Sequence, residues 1–107
     1  MKQKDIVSKI RRLGCKVTIL NSSFMNRKGL PDCLISFNGN AAFLEIKIDK
    51  DHLSKLQIEF AEEFFMCTFV LHYDTKTGGY RLDYSEFPDI VLRGKMITLK
   101  NKLNDAN

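Results

Sequence analysis

The stretch Gly29-Leu30-Pro31-Asp32-Cys33-Leu34-Ile35-Ser36-Phe37-Asn38-Gly39-Asn40-Ala41-Ala42-Phe43-Leu44-Glu45-Ile46-Lys47-Ile48 decides how this chain folds. Two apolar runs, Asp32 to Phe37 and Ala41 to Ile48, flank Asn38-Gly39, the pair best able to supply the positive φ angles of a tight two-residue hairpin turn. A β-hairpin is therefore expected. With a two-residue turn Phe37 faces Asn40 and every opposed pair has numbers summing to 77, so Asp32 falls opposite Glu45. Opposed residues share a face, with Cβ atoms about 4.5–5.5 Å apart. Lys47, two residues beyond Glu45, points the same way, while Leu44, Ile46 and Ile48 point to the other, core-forming face. One polar face thereby collects two carboxylates and an ammonium.

Outward from the hairpin, Ile6, Val7, Ile10 and Leu13 recur at helical spacing between Lys2 and Leu13, and Gly14 stands where a left-handed C-terminal residue is wanted. Cys15 to Leu20 is short and β-branched and reads as a strand; the polar segment Asn21 to Gly29 reads as a loop leading into Pro31-Asp32. Downstream, Leu53, Leu56, Phe60 and Phe64 return to helical spacing with Glu59, Glu62 and Glu63 outward, a second helix over roughly Ser54 to Phe65. Ser54-x-x-Gln57 at its start matches a capping box. Thr68 to Tyr73 is β-like, Thr75 to Gly79 a turn, and Tyr80 to Leu82 a returning strand. Ile90 to Leu99 mixes strand and helix signals, and Lys100 to Asn107 reads as a polar, frayed tail. No repeat, linker or low-complexity segment interrupts the chain.

The 107 residues suit one domain, residues 1–107, with one core. The chain is 44% hydrophobic and 28% charged, the composition of a folded globular protein. No apolar run is long enough to span a bilayer and the first residues lack a secretory signal, so a cytoplasmic location and no membrane partner are expected. Cys15, Cys33 and Cys67 are odd in number and widely spaced within apolar stretches; they read as buried thiols. Charge is segregated. Residues 1–31 carry eight Lys/Arg and one acid, residues 32–90 five and eleven, and residues 91–107 four and one. Basic ends around an acidic middle suit a polyanion gripped at its edges while carboxylates hold cations in the centre, although basic helix faces are more often plain solvated surface.

Two carboxylates this close repel each other unless a cation lies between them. Hard oxygen ligands suit Mg²⁺, with Mn²⁺ as a substitute; His52 and His72 have no zinc-ligand spacing. In phosphodiester hydrolysis a metal activates water and neutralises charge on the phosphate, and a nearby ammonium such as Lys47 stabilises the transition state. Gln57, at the edge of the second helix's buried stripe, is placed either to cap that helix or to act beside the site. Arg27 and Lys28, close to Asp32, and Lys4, Lys9, Arg11 and Arg12 on the first helix are the candidate phosphate contacts.

Gly29-Leu30-Pro31-Asp32, Phe43-Leu44-Glu45-Ile46-Lys47 and Leu53-Ser54-Lys55-Leu56-Gln57 together resemble the VRR-NUC family of the PD-(D/E)xK nuclease superfamily, over residues 3 to about 72. The resemblance implies an α/β fold, a mixed central β-sheet flanked by helices with a restriction-endonuclease-like core. It implies Asp32 and Glu45 as metal ligands with the backbone carbonyl of Ile46, Lys47 as the catalytic lysine, and Gln57 as a positioning residue. It further implies Mg²⁺-dependent DNA cleavage, often of branched DNA, by phage- or bacterial-type homodimers, with no small-molecule cofactor. An archaeal-type Holliday junction resolvase shares the Pro-Asp and Glu-x-Lys elements; a non-catalytic nucleic-acid-binding module and an interaction subunit are the alternatives outside catalysis. Where the superfamily often carries a glutamate on the first helix, this chain offers Gln3 and Asp5. The dimer contact is expected among Phe87, Ile90, Val91, Leu92 and Met96, residues that could equally be core.

Overall fold

The elements follow in the order α1 (Gln3–Arg12), β1 (Lys16–Ile19), β2 (Cys33–Phe37), β3 (Asn40–Ile48), α2 (Lys55–Glu63), β4 (Thr68–Tyr73), β5 (Tyr80–Tyr84) and α3 (Ile90–Asp105). The computed structural model describes residues 1–20 and 27–106, so most of the loop expected at Asn21 to Gly29 lies outside the described residues. The Asn38-Gly39 turn forms as its sequence requires, with φ of 43° and 101°. Its register is the one expected: β2 and β3 pair antiparallel from Phe37↔Asn40 to Cys33↔Leu44, and Asp32 and Glu45 lie one step beyond the last pair.

The five strands form one mixed sheet in sequence order, β1-β2-β3-β4-β5, antiparallel except for the parallel β3/β4 pair. A parallel pair cannot be joined by a tight turn, and α2 supplies the crossover. α1 and α3 cover one face. Ile6, Val7 and Ile10 of α1 and Leu92, Met96, Leu99 and Leu103 of α3 bury against Ile35, Leu44, Ile46, Phe69 and Leu71. α2 lies on the opposite face, where Phe43, Phe60 and Phe64 form an aromatic cluster with centroids 4.6–5.6 Å apart. α1 ends as Gly14 foretold: at φ 93° it lets its own N–H reach Arg11 O at 2.9 Å and that of Cys15 reach Ile10 O at 3.4 Å.

The structure corrects some of these expectations and decides between others. The chain from Lys100 is not a tail, because α3 runs to Asp105 with Leu103 fully buried. Asn104 then fastens its end to the sheet, accepting from Tyr80 N–H at 2.7 Å and donating to Tyr80 O at 3.1 Å. Of the five residues proposed for a dimer contact, Leu92 and Met96 face the core, while Phe87, Ile90 and Val91 stay exposed. Of the three thiols only Cys33 is fully buried, its pKa pushed up to about 12 by burial and then by the charges of Asp32 and Glu45; Cys15 and Cys67 are half-buried. α2 is also shorter than expected, and Leu56, assigned to its buried stripe, is 43% exposed.

Because Leu103 is enclosed, Leu103→Ala should destabilise the protein by about 2–5 kcal/mol, as leucine truncations in packed cores do. Urea unfolding followed by circular dichroism checks this; a frayed tail would leave the midpoint unchanged.

Candidate active site

Asp32 ends the approach to β2 and Glu45 lies on β3, and local geometry fixes both. Glu45 is 3% exposed, one of two buried polar or charged residues among those described. Burial pushes its carboxyl up to about 8; the charge of Asp32 and a hydrogen bond with that carboxylate push the same way, against the neighbouring Lys47 ammonium. Asp32 Oδ2 accepts from the Ile46 backbone N–H at 2.6 Å, so the side chain takes the place of a ladder partner and is locked beside β3.

Gln57 does both things its position allowed. Its side-chain Oε1 accepts from Ser54 N–H at 2.8 Å and its backbone N–H donates to Ser54 Oγ at 3.2 Å, which closes the capping box. The same Oε1 accepts from Lys47 Nζ at 3.1 Å, and Nε2 donates to Glu45 Oε1 at 2.9 Å. One amide thus caps a helix and bridges the acid and the lysine.

The contribution of α1 comes from Gln3, while Asp5 turns back to accept from Lys2 N–H at 2.8 Å at the helix start. Gln3 Nε2 donates to the Ile46 carbonyl at 2.8 Å and reaches Asp32 Oδ2 at 3.5 Å. Three and four residues before the buried Ile6 and Val7, Gln3 continues their stripe toward the sheet, and that spacing was the signal in the sequence.

The loop motif has a steric reason. Gly29 has φ 79°, and a Cβ there would lie 2.5 Å from Leu56 Cβ and 2.8 Å from its carbonyl carbon. Glycine lets the loop that delivers Asp32 lie flush on the first turn of α2, next to Gln57.

Lys4, Arg27 and Lys28 line a cleft of about 520 Å³ that reaches Gln3 and Asp32. Lys4 and Lys28 are exposed. Arg27 is engaged: its Nη1 donates to Glu63 Oε2 at 2.8 Å and its guanidinium lies 5.0 Å from the Phe60 ring centroid. Lys9, Arg11 and Arg12 do not line this cleft, and Arg11 donates to the Val17 carbonyl at 2.9 Å.

Among the described residues no cluster of three or more His, Cys, Asp or Glu side chains could hold a metal. The donor set here is two carboxylates and the Ile46 carbonyl. These all-oxygen donors suit a hard divalent ion. The oxygens of Asp32 and Ile46 already share an N–H donor from Gln3, and the Glu45 carboxyl packs beside Asp32, so the residues fit such an ion.

Comparison with known proteins gives a fold. The chain is similar to the Holliday junction resolvase Hjc of the archaeal hyperthermophile Archaeoglobus fulgidus, with a TM-score of 0.53 and 16% identity over 77% of this chain and 74% of that one. The fold is therefore the restriction-endonuclease-like fold of that resolvase, with a mixed five-stranded sheet and three helices among the described residues. No protein-family model matches the sequence, and no curated protein matches it. Among the described residues no helix is long and apolar enough to cross a membrane.

The raised Glu45 pKa sets a pH dependence. An acid that titrates higher in the folded state than in the unfolded one favours folding when protonated, so its contribution is full below the ordinary value of 4.5 and is lost as pH rises toward 8. In metal-free buffer the melting temperature should fall across that window. Glu45→Gln should flatten the fall and melt higher than wild type at pH 8 by several degrees, whereas Asp32→Ala should give less benefit because it strands the Ile46 N–H. Differential scanning calorimetry between pH 5 and 8 checks this; parallel curves for wild type and Glu45→Gln would reject it.

Proposed function

We propose that this chain is a Mg²⁺-dependent DNA endonuclease of the VRR-NUC kind that hydrolyses phosphodiester bonds in branched DNA. The observation that carries this reading is the closed network in which Gln57 joins Lys47 to Glu45 while Glu45 lies buried against Asp32. A sheet has no structural need for a buried pair of acids. The same pairing of acids and lysine, on the fold of a Holliday junction resolvase, favours phosphodiester chemistry.

Asp32, Glu45 and the Ile46 carbonyl would hold Mg²⁺, with Mn²⁺ able to replace it. The ion would lower the pKa of a bound water and neutralise charge gathering on the phosphate. Lys47 directs its ammonium toward the same face, where it stabilises the charged transition state or orients the attacking water. Gln57 keeps Lys47 and Glu45 at fixed separation, which spares the site reorganisation during reaction. Gln3 holds the Ile46 carbonyl and Asp32 in register from α1. Lys4 and Lys28 contact phosphates in the cleft beside Asp32. Arg27 steadies the loop through Glu63 and Phe60, and reaches a phosphate only by leaving Glu63.

The purified chain should nick a synthetic four-way DNA junction in Mg²⁺ and in Mn²⁺ but not in EDTA. Asp32→Ala, Glu45→Ala and Lys47→Ala should each lower the rate by roughly 10²-fold or more, and Gln57→Ala by roughly 10–100-fold, as for residues that orient metal ligands. Junction binding without cleavage in either metal would establish a binding module instead.

Two cuts in a branched substrate call for two sites, which a symmetric dimer provides through one self-complementary patch. The exposed apolar residues Phe87, Ile90 and Val91, at 70%, 72% and 55% exposure, are the candidate contact. Sedimentation should find a dimer at micromolar concentration that Phe87→Glu/Ile90→Glu converts to monomer; a monomeric wild type, with and without junction DNA, would remove the dimer.

A further inference from the structure

Past Lys47 the sheet continues with side chains that the site above does not use. Lys47 on β3 is the register partner of His72 on β4, and His72 lies directly opposite Arg81 on β5. Register partners share a face, so the three stand on the side of Glu45, about 4.8 Å apart per strand. The adjoining row holds Glu45, Val70 and Asp83. Acids and nitrogen donors therefore occupy neighbouring rows across three strands.

Asp83 orients the donors. His72 Nε2 lies 2.7 Å from Asp83 Oδ2, and Arg81 Nη1 donates to both oxygens of Asp83 at 2.8 and 2.7 Å. The row opens into a cleft of about 840 Å³ beyond the C-terminal ends of β3 and β4, whose walls include Lys50, His72, Lys76 and Arg81. Asp49 and Asp74 also line it, but their carboxylates accept from backbone N–H groups of Thr75 and Lys76. The Arg81 side chain is 65% exposed. An exposed ion pair such as Arg81–Asp83 contributes little and is readily exchanged, whereas a guanidinium matches two phosphate oxygens at once.

We propose that Lys47, His72 and Arg81 form a phosphate track: the strand whose scissile phosphate lies at Asp32 and Glu45 runs on over β4 and β5, where His72 and Arg81 hold the phosphates that follow. The proposal rests on the nuclease reading and extends it to the route of the strand. Lys4 and Lys28 lie beyond Asp32 on the β2 side and the track lies on the β4 side, so the reacting phosphate is gripped from both directions.

The test measures affinity for a synthetic four-way DNA junction over a KCl series, with Ca²⁺ in place of Mg²⁺ to prevent cleavage. Arg81→Gln should bind several-fold more weakly and lower the slope of log K against log salt by about one unit. Arg81→Lys should recover the slope and part of the affinity. Lys95→Gln, which removes one charge from α3 on the opposite face, should behave as wild type and separates a contact from mere net charge. Thermal melts confirm that each variant is folded, and Arg81→Met, with the same expected loss of affinity and slope, serves if Arg81→Gln is not. Wild-type slope and affinity in Arg81→Gln, or an equal loss in Lys95→Gln, would overturn the track while cleavage by wild type in Mg²⁺ left the nuclease reading standing. A wild-type protein that neither binds nor cuts the junction would overturn both.

Discussion

Glu45 is a carboxylate held out of water beside a second carboxylate, and its surroundings are organised around that unfavourable placement. Left alone, two acids on neighbouring strands would push the hairpin apart or turn one side chain out to solvent. Neither happens, because each is restrained by a bond that does not depend on the other. The Ile46 N–H holds Asp32, and the Gln57 amide holds Glu45. The restraint on Glu45 reaches into α2, whose capping box fixes the Gln57 side chain. The restraint on Asp32 reaches into the loop that Gly29 lets lie against Leu56. Loop, hairpin and crossover helix therefore meet at one pair of acids, and a change in any of them moves the pair.

The two faces of the sheet divide this task. On one, α1 and α3 enclose a continuous apolar core that carries the stability of the fold. On the other, α2 buries little more than Phe60, and its hold depends on the Phe43–Phe60–Phe64 cluster with Arg27 stacked on Phe60. A thinly buried helix leaves the site beside it open to solvent. It also explains why Leu56 and Ile58, apolar and on α2, remain at 43% and 44% exposure.

The hairpin and the site were legible in the sequence because both follow from short-range rules. Asn38-Gly39 sets the register, register sets the faces, and the faces place Asp32, Glu45 and Lys47 together. Gln57 was legible as a position but its two functions were not separable, since capping and bridging use the same spacing. α3 was harder to read. Its β-branched Ile90, Val91, Ile97 and Thr98, with Gly94 inside, obscure a regular stripe at Leu92, Met96, Leu99 and Leu103, and the Asp89 cap that accepts from Leu92 N–H follows Pro88 unannounced. The binding of Asn104 to Tyr80, 24 residues away, has no local signature at all. Arg27 was read as a phosphate contact, and its pairing was missed for the same reason: its partners Glu63 and Phe60 are distant in sequence.

The segregation of charge along the chain takes a different meaning on the fold. The acidic middle segment is not one patch. Glu45 and Asp32 are gathered inward, whereas Glu59, Glu62 and Glu63 are exposed on α2. For an approaching polyanion the exposed Glu59, Glu62 and Glu63 make α2 repulsive, an effect that Lys55 and the pairing of Arg27 with Glu63 reduce. Attraction comes from the two clefts that flank the carboxylates, with Lys4 and Lys28 on the side of β2 and Lys50, Lys76 and Arg81 beyond β4. A strand drawn into both must cross the sheet from β2 toward β5, perpendicular to the strands and along the row that begins at Lys47. Repulsion by the helix and attraction by the clefts would thus favour the same path, one that passes over Asp32 and Glu45.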